Sequence, residues 1–483
     1  MEHACVSSLL VLWLSLLPPV LICILLLSYL WTFQWLRPER IRQRLRRQGE
    51  KGPKPSLLLR NIPEMRRIQK QLAESDQEQQ EAAAGGNHRF SSNYMAAWPL
   101  CSLTSTTGTR STSLFVRDPD MVRELANCKS LDLGKPRYLQ KQLGALLGTG
   151  ILTANGDLWA HQRKVIASHF FMDKVKGMVD LMAGSANEML VSWEDIVDRG
   201  GFHILSKIRQ LQVAMAKQDI FAALPGSRYL PTKRNREIRR RGASIRDLIL
   251  DIARRHEEEH DPPATSSASN SDGFLRSIVE GAKAAASAFS SCTPEDFIVD
   301  NCKNIYFAGH ETTSTTAAWC LMLLAAHPEW QSRARAEVME VVRHGKPLDA
   351  DTIRKLKTVT MVVQETLRLY PPAPFVTREA LRDLTLGGLH VPSGTGVRVP
   401  IALAHRDPAA WGHAGGDPDG FDPGRFANGV NLAVVELKVV LALLLPRFEL
   451  ALSPGYVHRP AFRLTVEPGN GVALVLRKLC SAD

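Results

Sequence analysis

The sequence predicts a mainly α-helical protein with small β-sheets, set behind an N-terminal transmembrane helix. Three observations point there: a charge-free stretch from Ala4 to Leu36, long apolar-periodic stretches through the body of the chain, and a weaker strand-like alternation near the C-terminus. With 483 residues, 45% hydrophobic and 23% charged, the chain has apolar material for one large core or two to three ordinary ones. No repeat at a fixed period is visible, which argues against a solenoid or propeller.

The run Leu9 to Leu30 is long enough to cross a bilayer core, which needs ~20 helical residues, and Pro18-Pro19 would kink it. The alternative is a cleaved signal peptide. Against it, Met1-Glu2-His3 lacks basic residues and the apolar run exceeds the usual ~7–15 residues of such peptides. Residues 1–36 are therefore expected to be a membrane anchor. Residues 37–55 follow as a basic collar and Pro-rich hinge that keeps the bulk of the chain on the cytoplasmic side. Residues 56–483 form one domain, with an exposed mobile loop near 257–273 and a second loop between Gly415 and Phe421. At the end, Phe462 to Val466 and Val472 to Leu476 alternate around Pro468-Gly469-Asn470-Gly471 and are expected to pair as a hairpin.

A net charge of +11 invites a nucleic-acid reading, but the charge is not spread along the chain. Arg37 to Lys54 carries +6 and Lys233 to Arg246 carries another +6, so the remainder is essentially neutral. That distribution fits a membrane surface and argues against nucleic acid. For the second patch, membrane contact and a plain solvated helical face both remain open. The eight cysteines include no C-x-x-C pair, so neither a zinc module nor a disulfide scaffold is signalled and a reducing, cytosol-facing compartment is expected.

The clearest helix start is Thr293-Pro294-Glu295-Asp296, a hydroxyl cap, a proline in the first turn and acids at the positive end of the macrodipole. The periodic pattern then runs to Ala326, about 50 Å of helix at 1.5 Å per residue. In its middle, Ala308-Gly309-His310-Glu311-Thr312-Thr313 should weaken the helix, and a break there would open a groove lined by an acid and a hydroxyl suited to proton delivery. A packing glycine beside a satisfied buried Glu explains the same residues equally well. A zincin is excluded, because Ser314 stands where the second His of H-E-x-x-H would be. Further on, Glu365 and Arg368 lie one turn apart, a pairing that by itself usually decorates a solvated face. Its context is Tyr370-Pro371-Pro372-Ala373-Pro374-Phe375, then Arg378, and later Phe421-Asp422-Pro423-Gly424-Arg425-Phe426. Trp159 and Arg163, at i and i+4, would project an indole N–H and a guanidinium toward one anion.

Taken in that order, these motifs resemble the cytochrome P450 monooxygenases, from the anchor to the final strands. The resemblance implies a mainly helical fold with a heme held between the central helix and a helix beginning near Asn431. It implies that Glu311 and Thr312 assist oxygen activation and proton delivery, that Gly309 makes room for dioxygen, and that Trp159, Arg163 and Arg378 meet the heme propionates. Glu365, Arg368 and Arg425 match the buried ion-pair triad of that family. The segments Ser130 to Pro136, Phe170 to Met178 and Asn301 to Phe307 resemble, more narrowly, plant members of the clan that includes gibberellin-modifying oxidases. A hydrophobic substrate such as a gibberellin or related diterpenoid, an NADPH-cytochrome P450 reductase as electron donor, and single-pass placement in the endoplasmic reticulum membrane with the domain facing the cytosol are implied in turn.

One element of the pattern is missing. The family's axial cysteine should fall between Arg425-Phe426 and the helix near Asn431, where only Ala427-Asn428-Gly429-Val430 stand. No Cys, His or Met occurs from Ala414 to Val457. Two further stretches are compressed: Gly200 to Ile208, and the Ser/Thr-rich Asn87 to Phe115 where early strands are expected. The alternative to an active monooxygenase is therefore a catalytically inactive, truncated P450-like membrane protein, the product of a skipped or misjoined exon or of a decayed gene. In that case Glu365 and the apolar helix Leu432 to Leu445 are expected to lose their neighbours and the chain to express poorly.

Overall fold

A computed structural model of the chain describes residues 36–50, 103–105, 112–171, 178–199, 232–259, 272–290, 292–342, 348–411, 417–427, 435–462 and 465–479, besides isolated positions 20, 21, 24, 25, 28, 32 and 174. In chain order its elements are α1 (Arg37–Arg47), β1 (Leu103–Ser105), β2 (Thr112–Phe115), α2 (Pro119–Asn127), β3 (Leu133–Gly134), α3 (Arg137–Leu147), α4 (Gly156–Ala167), α5 (Val179–Arg199), α6 (Lys233–Glu259) and α7 (Asp272–Ala288). There follow α8 (Pro294–Ala326), α9 (Pro328–Val341), α10 (Ala350–Lys355), α11 (Lys357–Leu369), β4 (Phe375–Ala380), β5 (Leu384–Leu386), β6 (Leu389–Val391), β7 (Gly396–Pro400), α12 (Val435–Leu444), β8 (Phe448–Leu452), β9 (Pro460–Phe462), β10 (Val466–Pro468) and β11 (Leu474–Lys478), with short helical turns between β7 and α12. Helix dominates and the sheets are small, as the periodicity predicts.

The chain divides into two compact units. The smaller comprises Met1–Lys70, Trp98–Gly134 and Thr377–Val399 and is built on a five-stranded sheet in the order β1-β2-β7-β4-β3. The β1–β2 pair is antiparallel and β2 runs parallel to β7, so two early strands form despite the compressed Ser/Thr-rich stretch that leads into them. The Thr112 hydroxyl donates to the Pro38 carbonyl at 2.9 Å, tying α1 to β2.

The larger unit, Gln71–Ala97, Lys135–Val376 and Pro400–Asp483, is organised around α8. Thr293 caps that helix by accepting from the Asp296 N–H at 3.1 Å, and Glu295 and Asp296 sit in its first turn. Its C-terminal half is the most apolar part: Trp319, Cys320, Met322 and Leu324 have no solvent exposure. Cys320 and Leu324 pack with α11, α12 and β8 in one core containing Val359, Val362, Leu437, Val439, Leu444 and Phe448. Glu337 of α9 serves as the N-terminal cap of α11, accepting from the N–H groups of Lys357, Thr358 and Val359 at 2.7–3.1 Å.

The C-terminal strands do not pair as expected. Val466–Pro468 joins β9, and Leu474–Lys478 joins β8 in the register Leu474↔Leu452 to Lys478↔Phe448. Period-two alternation marks the strands but not their partners, and β8, which places Phe448 and Leu450 in the main core, is the better surface for β11 to cover. The loop expected near 257–273 is shorter at both ends, since α6 continues to Glu259 and α7 begins at Asp272; residues 260–271 lie outside the described residues. The anchor at Leu9 to Leu30 and the stretch Gly200 to Ile208 also lie outside them, apart from isolated positions in the former. Among the described residues no helix is long and apolar enough to cross a membrane.

Candidate functional site

The strongest polar feature of the interior is the pair formed by Glu365 and Arg368 on α11. Both side chains are at most 1% exposed, and Arg368 donates to both carboxylate oxygens at 2.7 Å through Nε and Nη2. Its Nη1 reaches the carbonyls of His405 and Pro418 at 2.9 and 2.5 Å, and its Nη2 the carbonyl of Gly420 at 2.9 Å. All five N–H groups of the guanidinium thus have acceptors, which is what makes a buried charge tolerable. Arg425 completes the predicted triad, with Nε 3.7 Å from Glu365 Oε1 and its two Nη atoms donating to Trp411 O at 2.8 Å and Asp417 O at 2.6 Å. The Asp422 N–H donates to the same Glu365 oxygen at 2.9 Å. The carboxylate is therefore satisfied, contrary to the expectation that it would lose its neighbours, because its partners are Arg368 one turn away on α11 and Asp422 and Arg425 upstream of the missing stretch.

The centre of α8 is unbroken, where the sequence suggested a break. The Thr312 hydroxyl donates to the Ala308 carbonyl and that of Thr316 to the Thr312 carbonyl, both at 2.7 Å, so the hydroxyls return to the backbone one turn earlier instead of diverting it. Apart from the adjoining backbone of α8 itself, no described atom lies within 4 Å of where a Cβ on Gly309 would stand, so among the described residues this glycine packs against no neighbouring element. Glu311 is largely buried, and its Oε1 lies 3.8 Å from His310 Nδ1, on a ring that stacks against Tyr306.

Trp159 and Arg163 lie on α4, the guanidinium 5.6 Å from the indole centroid. Lys135, which sequence reasoning left without a role, sits with Nζ 4.7 Å from the same centroid, so three groups able to donate to an anion are gathered at one place. Arg378 belongs to the smaller unit, where its Nη1 donates to Thr377 O at 3.0 Å and burial pulls the guanidinium below its ordinary range.

The turn before α4 is held by a polar group that was also missed. Asp300 Oδ2 accepts from the N–H of Thr149 at 2.7 Å, Asn301 Oδ1 from Ile151 at 3.0 Å and Asn304 Oδ1 from Leu152 at 2.8 Å. Asn304 Nδ2 also donates to Leu147 O, and Gln162 of α4 donates to Thr149 O. The available signal was three polar residues at i, i+1 and i+4 in the first half of α8, interleaved with the apolar Phe297, Ile298 and Val299.

None of the described cysteines lies in the stretch where the axial ligand is expected. Cys320 is fully buried against the Thr366 hydroxyl at 3.3 Å, and burial pushes its thiol up to about 12. Burial pushes Cys302 up to about 11 and also raises Cys292, while Cys128 is exposed in the smaller unit. No cluster of three or more His, Cys, Asp or Glu side chains able to hold a metal ion occurs among the described residues.

Comparison with known proteins agrees with this arrangement. A family model described as cytochrome P450 matches residues 202–430. Cytochrome P450 714C2 of Oryza sativa subsp. japonica is 55% identical over 97% of this chain and 98% of its own length. That alignment spans 532 positions against 483 residues here, so at least 49 positions have no counterpart in this chain. Cytochrome P450 714A2 of Arabidopsis thaliana is 34% identical over 91% of this chain and 93% of its own length. Among solved structures, the crystal structure of a cytochrome P450 (CYP102L1) gives a TM-score of 0.63 at 21% identity, over 78% of this chain and 95% of that one. The cytochrome P450DA heme domain gives 0.64 at 20% identity, over 81% and 94%. With a near full-length relative at 55% identity, the same fold in solved structures and the Glu365–Arg368–Arg425 triad assembled in the core, the chain belongs to the cytochrome P450 family.

Proposed function

We propose that the gene to which this chain belongs encodes a monooxygenase that inserts one oxygen atom into a gibberellin or related diterpenoid acid. Its electrons come from an NADPH-cytochrome P450 reductase, at the endoplasmic reticulum membrane with the domain facing the cytosol. The observation that supports the chemistry best is the middle of α8, where the open space beside Gly309 adjoins the largely buried acid Glu311 and the hydroxyl Thr312. In this reading Glu311 and Thr312 handle the protons of oxygen activation and Gly309 leaves room for dioxygen. The diterpenoid part rests on the likeness of Ser130 to Pro136, Phe170 to Met178 and Asn301 to Phe307 to gibberellin-modifying oxidases.

Heme is the cofactor of the family, and the side chains present fit it unequally. Lys135, Trp159 and Arg163 form a cationic, donor-rich cluster suited to propionates. For the iron, residues 414–457, where the resemblance puts the axial cysteine, contain no Cys, His or Met. No step of the reaction is therefore derived for the chain as it stands.

The substrate assignment is tested by inserting a Cys-bearing segment between Val430 and Asn431, supplying the reductase and NADPH, and searching for products heavier by one oxygen. Oxygenated gibberellins or their diterpenoid precursors are expected. Turnover of fatty acids or phenylpropanoids with none of diterpenoids overturns the substrate class.

A further inference from the structure

The two flanks of the 427–434 stretch are each seated without help from any iron-ligating residue. Upstream, the turn Pro423–Phe426 is fixed to α11 through Asp422 N to Glu365 and through Arg368 to the carbonyls of Pro418 and Gly420. Arg425 holds the same turn to Trp411 and Asp417. Downstream, α12 places Leu437, Val439, Leu441 and Leu444 in the main core at 1% exposure or less. Lys438 Nζ donates to Ile353 O at 3.0 Å, and the Thr313 hydroxyl donates to Glu436 at 3.2 Å. Between these anchors the sequence Ala427-Asn428-Gly429-Val430-Asn431-Leu432-Ala433-Val434 offers no thiol, imidazole or thioether.

We infer that the iron-ligating part of this fold is a separable insert at the Val430–Asn431 junction, and that this chain is the self-sufficient core from which it is absent, unable to supply a thiolate to heme iron. The inference rests on the family assignment and is independent of the substrate proposed above. The polar bonds and apolar contacts that stabilise the core come from residues on either side of the junction, so losing the insert removes the ligand and leaves the frame. Cys320 and Cys302 do not replace it, since both lie on α8, one of them bonded to Thr366 in a solvent-free site.

The test is made on the full chain, purified in detergent after expression with excess heme precursor, using the reduced carbon-monoxide spectrum and thermal unfolding. The expected result is a cooperative unfolding transition with no red-shifted, thiolate-type Soret band, and appearance of that band when a Cys-bearing segment is inserted at the junction. A thiolate-type band in the unaltered chain overturns the inference; its loss in Cys320→Ser or Cys302→Ser would identify the substitute ligand. Absence of any cooperative transition in the unaltered chain, with one present after insertion, overturns the self-sufficient core. Failure of the inserted chain to oxidise diterpenoids while it shows the band counts against the substrate proposal alone.

Discussion

Every N–H of Arg368 has an acceptor, and two of these acceptors, Pro418 O and Gly420 O, belong to the loop that leads to Arg425. Arg368→Ala would leave the fully buried Glu365 carboxylate with only Arg425 and one backbone donor, at a cost of about 3–5 kcal/mol. Arg368→Lys keeps the charge but not the fork, so it should also be strongly destabilising. Both are read from denaturant midpoints, and a loss below 1 kcal/mol for either would show that the pair is not what holds this loop. His458 makes a second residue-level prediction. Its ring nitrogens bond to Tyr456 at 2.9 Å and Tyr370 at 3.3 Å, and burial pushes its pKa down to about 4. The unfolded imidazole titrates near ~6.5, so between those values the unfolded chain binds the extra proton. Stability from this group is complete above the unfolded value and falls as the pH drops toward 4, by up to about 1.4 kcal/mol per unit. His458→Gln should flatten that slope; an unchanged slope would assign the loss to other groups. Of the thiols, Cys128 should alkylate in the native chain at pH 8 and Cys320 should not, as peptide mass spectrometry would show.

At the scale of elements, α8 was legible almost to its last residue, because its cap, its acids and its stop at Pro328 are local signals that tertiary packing had no reason to overrule. Strand pairing was not legible, since alternation is identical for every partner a strand could take. The turn before α4 was missed because its order depends on three side chains from α8, about 150 residues away in sequence. Its glycines are steric requirements. A Cβ on Gly148, where φ is +57°, would stand 2.0 Å from the Asp300 carboxylate, and one on Gly150 2.4 Å from Asn304 Nδ2 and 2.7 Å from Asp300 O. Gly150→Ala should therefore cost roughly 2 kcal/mol or more, whereas Gly184→Ala, on an exposed turn of α5 with open space around it, should gain up to about 1 kcal/mol. Unfolding of the two variants side by side decides it, and equal effects would contradict the packing described for the turn.

For the whole molecule, helical predominance and the central helix followed from short-range patterns, whereas the triad was implied by the family resemblance alone; the structure brings Glu365, Arg368 and Arg425 together across 60 residues of sequence. The missing axial cysteine was equally legible, being a matter of which residue types occur from 414 to 457. What the sequence misjudged was the consequence. Loss of that segment was expected to strip Glu365 of its neighbours, yet these are Arg368, Asp422 and Arg425, and α12 still buries its apolar face in the main core. The measurement that tests this most directly is the reduced carbon-monoxide difference spectrum of the purified full chain, recorded beside that of the chain carrying a Cys-bearing insert between Val430 and Asn431. A thiolate-type Soret band is predicted in the second and none in the first. The same band in both would contradict the claim that this chain has no ligand for heme iron.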